Sequence, residues 1–84
     1  MVTRDFSAKE IVKVLCNKGN FWVDRIAGDH YILKWEHPDG SDVESRTVSV
    51  PYHDSVSIGT LHDIADDAGA KDFEEFCRWI DRNR

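Results

Sequence analysis

The stretch Gly28-Asp29-His30-Tyr31-Ile32-Leu33-Lys34 carries the fold: a glycine turn that opens directly onto a run of alternating side chains. Gly28 permits the backbone reversal, and the run from His30 to about His37 has the period of a strand. Strand residues point alternately to the two faces, so Tyr31, Leu33 and Trp35 share one face and His30, Ile32, Lys34 and Glu36 the other. The first set is the expected core face. His30 then stands at the mouth of the strand on the more open face, with Lys34 two side-chain steps of roughly 7 Å each further along. An imidazole has an ordinary pKa of about 6.5 and exchanges a proton near neutral pH, so a histidine held by a sheet yet open to solvent is a candidate acid or base. Taken alone, it is also what a polar residue at a strand start looks like.

Working outward toward the N-terminus, Phe21 to Ile26 is aromatic and β-branched, and Ala27-Gly28-Asp29 reverses the chain after it. Before that, Ser7-Ala8-Lys9-Glu10 has the form of a capping box. A helix is predicted over 8–18, with Ala8, Ile11, Val12 and Leu15 on its apolar stripe, Lys9 and Lys13 one turn apart on another, and Gly19 as a left-handed stop. Toward the C-terminus, Pro38-Asp39-Gly40-Ser41-Asp42 is a turn by composition, and Val43 to Val50 is a third strand ended by Pro51. A second helix follows over 58–68, built on Ile58, Leu61, Ile64, Ala65 and Ala68. A third is capped by Asp72 and buries Phe73, Phe76, Cys77 and Ile80, with Trp79 off the stripe. The order α-β-β-β-α-α predicts an α+β fold: a three-stranded antiparallel sheet with helices on one face and His30 on the free one.

With 84 residues, 40% of them hydrophobic and nine aromatic, the chain is expected to form one domain over 1–84. Cys16 and Cys77 have no spacing that suits zinc, and no N-terminal apolar segment has the form of a signal or a span. The expected setting is reduced and cytoplasmic, away from membranes, with a monomer when free because no long unpaired strand edge or heptad seam stands out. The net charge is −5, against a general nucleic-acid binder, yet the acids are 11 Asp and 5 Glu beside only 5 Lys and 6 Arg. That Asp-rich, Lys-poor balance is what a salt-adapted, halophilic surface needs. At molar salt the Debye length is about 3 Å, so diffuse repulsion of phosphate is screened and short-range contacts survive. Residues 1–34 carry six bases and four acids, a local +2, while residues 35–84 carry −7. An anion is therefore expected at the N-terminal half, where His30 lies.

In chain order, the Ser7-Ala8-Lys9-Glu10 helix start, Gly28-Asp29-His30, His37-Pro38-Asp39-Gly40, Val48-Ser49-Val50-Pro51-Tyr52-His53 and Ile58-Gly59-Thr60-Leu61 closely resemble the HicA toxins, also called YcfA-like proteins. The resemblance runs over nearly the whole chain. It implies a fold like the double-stranded RNA-binding domain, a metal-independent endoribonuclease that cleaves mRNA (an mRNA interferase), no cofactor, and a HicB-like antitoxin protein as partner. The functional histidine of such proteins follows a Gly-Ser, and His30 holds the matching position. Two features depart from the pattern. Asp29 replaces the serine and puts a carboxylate near where a phosphate must approach, unless strand alternation turns it to the other face. Trp35-Glu36 lengthens the strand by two residues, which keeps the side-chain phase.

The reaction expected from this reading is attack of a ribose 2′-hydroxyl on the adjacent phosphate after His30 removes its proton, giving a 2′,3′-cyclic phosphate. Lys9, Lys13 and Lys34, with the Gly28 turn and His53, make the expected RNA-binding set; no metal is called for. His53 is the one obvious second proton carrier in the sequence and is read as a loop hydrogen-bonder ahead of a general acid, while His37 and His62 are structural or solvated. Trp22 and Trp79 are open to two readings, stacking on bases or packing and partner contacts, while Trp35 belongs to the core. The competing reading is a catalytically weak or inactive module of the same fold that binds RNA or protein; His30→Ala would leave its affinity unchanged.

Overall fold

The structure, a computed structural model, describes residues 2–36 and 45–84. The predicted turn at His37-Pro38-Asp39-Gly40 and the first two residues of the predicted third strand lie outside the described residues. Six elements follow in the expected order: α1 (Ala8–Lys18), β1 (Trp22–Ala27), β2 (His30–Glu36), β3 (Ser45–Pro51), α2 (Ile58–Asp67) and α3 (Phe73–Asn83). The strands form one antiparallel sheet in the order β1-β2-β3. This is the α+β architecture that the alternation and capping patterns predict.

Register explains which side of the sheet is covered. Leu33 of β2 lies opposite Val23 of β1 and Val48 of β3, and Tyr31 lies opposite Ile26 and Val50. Leu33, Val48 and Val50 are buried with Ile11, Val14 and Leu15 of α1, Leu61 and Ile64 of α2, and Phe76, Cys77 and Ile80 of α3. Tyr31 and Trp35 pack against this cluster, as their phase requires. On the other face His30, Ile32 and Lys34 face solvent-side neighbours: Ala27, Arg25 and Trp22 on β1, and Pro51, Ser49 and Thr47 on β3. An extra residue at Asp24 interrupts the β1–β2 ladder between Val23 and Arg25, a bulge that weakens β1 as an open edge. The helices leave β1 largely uncovered, so Val23 and Ile26 stay 40% and 58% exposed although their phase matches the core.

Both predicted caps form. The Ser7 hydroxyl accepts from the Glu10 amide at 3.1 Å, and the Glu10 carboxylate accepts from the Ser7 amide at 3.0 Å, a complete capping box. Asp72 likewise accepts from the Glu75 amide at 3.1 Å. Replacing Ser7 with alanine is expected to destabilise the protein by about 1 kcal/mol. The urea midpoint should fall with the slope of the transition unchanged.

Gly19 corrects one expectation. Its φ is −102°, so it is not the left-handed stop; Asn20, with φ 62°, is. Asparagine tolerates that region better than most residues, which is why the glycine can be spent elsewhere. A Cβ at position 19 would stand 2.9 Å from the Leu15 carbonyl oxygen and 3.1 Å from the Trp79 ring. The residue is glycine because helix end and indole meet there. Trp79, off the apolar stripe of α3 by sequence, thereby packs against the core. At the end of α2 the left-handed residue is a glycine, Gly69 with φ 87°, over which the Arg46 guanidinium packs.

Two residues outside the predicted elements complete the core. Phe6 and Val56 are 1% and 4% exposed, and the Val56 amide donates to the Phe6 carbonyl at 3.0 Å. The segment before α1 is thus laced to the segment after β3. Among the described residues, no helix is long and apolar enough to cross a membrane.

Candidate active site

Gly28 and Asp29 are the only residues between β1 and β2. Gly28 has φ 62° and Asp29 does not have a positive φ, the pattern of a type II′ hairpin, whose twist matches the flanking strands. A Cβ at Gly28 would meet nothing within 4 Å, so the glycine serves the backbone angle and the space above the turn is open. The turn closes on the Ala27–His30 pair, and on its other side His30 lies opposite Pro51. The chain leaving β3 is fastened to the same turn: the Tyr52 amide donates to the Asp29 carbonyl at 2.7 Å, and the Tyr52 and Tyr31 rings stack at 4.6 Å.

His53 follows directly. Its amide donates to the Pro51 carbonyl at 2.9 Å, and its carbonyl accepts from the Ala8 amide at 3.0 Å. Three chain segments, the hairpin turn, the exit of β3 and the first residue of α1, therefore meet at one end of the sheet.

Asp29 sits between the two imidazoles. His30 Nδ1 is 2.8 Å from Asp29 Oδ1, and His53 Nε2 is 3.6 Å from Asp29 Oδ2. All three side chains are exposed enough to meet a large ligand, at 45% for His30, 59% for His53 and 67% for Asp29. The hydrogen bond to His30, followed by one from its own backbone, holds the Asp29 carboxyl below the usual aspartate range, with His53 adding a smaller effect in the same direction. A carboxylate can only accept, so a neutral His30 must carry its proton on Nδ1 and keep the lone pair on Nε2. Strand alternation does not govern Asp29, because it belongs to the turn; its side chain reaches to its neighbour instead of to the far face.

The predicted binding residues divide. Gly28, His30 and His53 are brought together. Lys9 is exposed in the first turn of α1, whose leading amide bonds the His53 carbonyl, and Lys13 is exposed one turn further on. Lys34 lies on the same face as His30, but its Nζ is 4.0 Å from Asp24 Oδ2, a carboxylate that also pairs with Arg25 at 2.8 Å. The bulge that puts Asp24 there was not legible in the sequence. His62, outside the site, stacks on Phe73 at 3.6 Å. Among the described residues, no group of three or more His, Cys, Asp or Glu side chains has the arrangement of a metal site. A groove of about 660 Å³ beside Leu15, Trp35, Glu75 and Trp79 contains none of the site residues.

Fold and site together define a small α+β domain that presents an Asp-bridged pair of histidines at an open sheet end. Residues 8–70 match the family described as HicA toxin of bacterial toxin-antitoxin. The match spans α1 through the end of α2 and contains every site residue, so the chain belongs to the HicA toxins, the toxin half of bacterial toxin-antitoxin pairs. No curated protein and no solved structure matches it.

Proposed function

We propose that this toxin is a metal-independent endoribonuclease that cleaves mRNA, with His30 as general base, and that its antitoxin is a HicB-like protein. The observation that carries the reading is the His30 ring itself: Nδ1 is engaged by Asp29 at 2.8 Å, and the ring stands at an exposed sheet end. Nε2 is then the nitrogen with a lone pair for the 2′-hydroxyl proton. Lys9 and Lys13 of α1, the open Gly28 turn, Lys34 and His53 supply the phosphate-facing surface. These groups position RNA by its backbone, and the ribose 2′-hydroxyl required by the chemistry restricts cleavage to RNA.

Cleavage of a messenger RNA by the purified protein with excess EDTA tests this directly, run in both low-salt and molar-salt buffer. The expected result is cleavage unaffected by EDTA, with 2′,3′-cyclic phosphate and 5′-hydroxyl ends. Ends of another kind would remove His30 from the role of base for a 2′-hydroxyl. A folded protein that binds RNA without cutting it at either salt would make the chain a binding module, with the exposed Asp29 carboxylate as the reason that a phosphate is not attacked.

A further inference from the structure

We propose that Asp29 is a positioning residue that joins two histidines into an acid–base pair, His30 as base and His53 as acid in the same cleavage. The proposal rests on the ribonuclease reading above and assigns the step which that reading leaves open, protonation of the leaving oxygen.

One carboxylate serves both rings. Asp29 Oδ1 accepts from His30 Nδ1–H at 2.8 Å, which fixes the tautomer with Nε2 as the basic nitrogen. Asp29 Oδ2 lies 3.6 Å from His53 Nε2, within the range of an ion pair with a protonated ring. Each member is set by backbone rather than by side-chain packing. His30 is locked between Ala27 and Pro51 in the sheet, Asp29 by its carbonyl to Tyr52, and His53 by its bonds to Pro51 and Ala8. Residues tied in this way by backbone hydrogen bonds keep the geometry that proton transfer requires.

The steps balance. His30 Nε2 takes the proton of the 2′-hydroxyl, the 2′ oxygen forms its bond to phosphorus, the bond from phosphorus to the 5′ oxygen breaks, and that oxygen takes a proton from His53. The products are a 2′,3′-cyclic phosphate and a 5′-hydroxyl. His30 ends protonated and His53 neutral, and proton exchange with water restores both. Asp29 touches no reacting atom. The carboxylate that stands where the resemblance expects a serine, close to where a phosphate must approach, becomes in this geometry what aligns the pair.

The test uses an oligoribonucleotide spanning a site that wild type cuts, made either with the natural 5′ oxygen or with sulfur at that bridging position, since a thiolate leaves without being protonated. On the oxygen substrate, His53→Ala is expected to lose about 10²- to 10⁴-fold in rate, and on the sulfur substrate to recover to within about tenfold of wild type. His30→Ala should not recover. Asp29→Ala should lose about 10- to 100-fold in kcat with KM nearly unchanged, and the ring nitrogen shifts of His30 should move from the Nδ1–H to the Nε2–H tautomer. Circular dichroism checks each fold. His53→Ala equally slow on both substrates, or unchanged His30 shifts in Asp29→Ala, would overturn the pair while leaving His30 as base. A wild type that cuts no RNA, and so offers no site for the oligoribonucleotide, overturns the pair and the ribonuclease reading together.

Discussion

His30→Ala is expected to lower RNA cleavage by about 10²- to 10⁴-fold, the usual contribution of a general base, with little change in RNA affinity. The loss is chemical because the substitution takes away little structure. The backbone pairing of His30 with Ala27 and Pro51 is kept by alanine, and the side chain is 45% exposed. Its hydrogen bond to Asp29 lies at the surface, so the fold should be retained. The pH dependence follows from Asp29. Its carboxyl is held low, first by the His30 hydrogen bond, so what this interaction adds to stability is complete above the usual aspartate value and is lost as the pH falls through the lowered one. The carboxylate is therefore charged at and well below neutral pH, and Asp29 does not set the acid limb of cleavage. Single-turnover rates of wild type and His30→Ala against pH, with filter binding of the same RNA, measure both quantities. A variant that cuts within threefold of wild type would end the case for His30; one that loses binding in proportion to cleavage would make it a contact residue.

The architecture was legible because each element announces itself by short-range physics. The alternation of Tyr31, Leu33 and Trp35 fixes the phase of β2, and a strand with one covered face cannot slip by one residue without exposing that set. Ser7 and Glu10 specify where α1 begins through bonds that span only three residues. The site was legible only in part, and the missing part depends on contacts between distant segments. Nothing local in Pro51-Tyr52-His53 says that it is fastened to the hairpin turn by the Tyr52 amide, so the approach of His53 to Asp29 could not be read from the chain. Asp29 itself carried a signal that strand logic misassigned. An aspartate immediately before a histidine in a two-residue turn is free of alternation and close enough to accept from Nδ1. Gly19 was misread for a related reason: a glycine at a helix end is commonly left-handed, but here a distant indole sets the requirement, and Asn20 supplies the turn.

The second large effect is expected at Phe6, a residue in no helix or strand. Phe6→Ala should destabilise the protein by about 3–5 kcal/mol, the cost of emptying a buried aromatic site. At 0.05–0.15 kcal/mol per residue, a chain of 84 residues has a total stability of roughly 4–13 kcal/mol, so this one change removes a large part of it. The ring is 1% exposed in the main core, and the Arg84 guanidinium stands 5.1 Å from its centroid. Position matters as much as size. The Phe6 carbonyl accepts from Val56, and two residues later Ala8 donates to the carbonyl of His53, so the segment that Phe6 anchors holds the loop carrying the second histidine. Loss of the ring should therefore loosen the His53 loop at denaturant concentrations where β2 is still closed. Urea unfolding gives the first number, and hydrogen exchange gives the second: the amides of Ala8 and Val56 should exchange faster in Phe6→Ala while Leu33 stays protected. Phe6→Leu, which keeps most of the volume, should cost less than half as much and leave the loop protected. If Ala8 and Val56 exchange no faster than Leu33 in the alanine variant, the loop and the core open as one unit, and the placement of His53 is then secured by the whole fold and not by the Phe6 anchor.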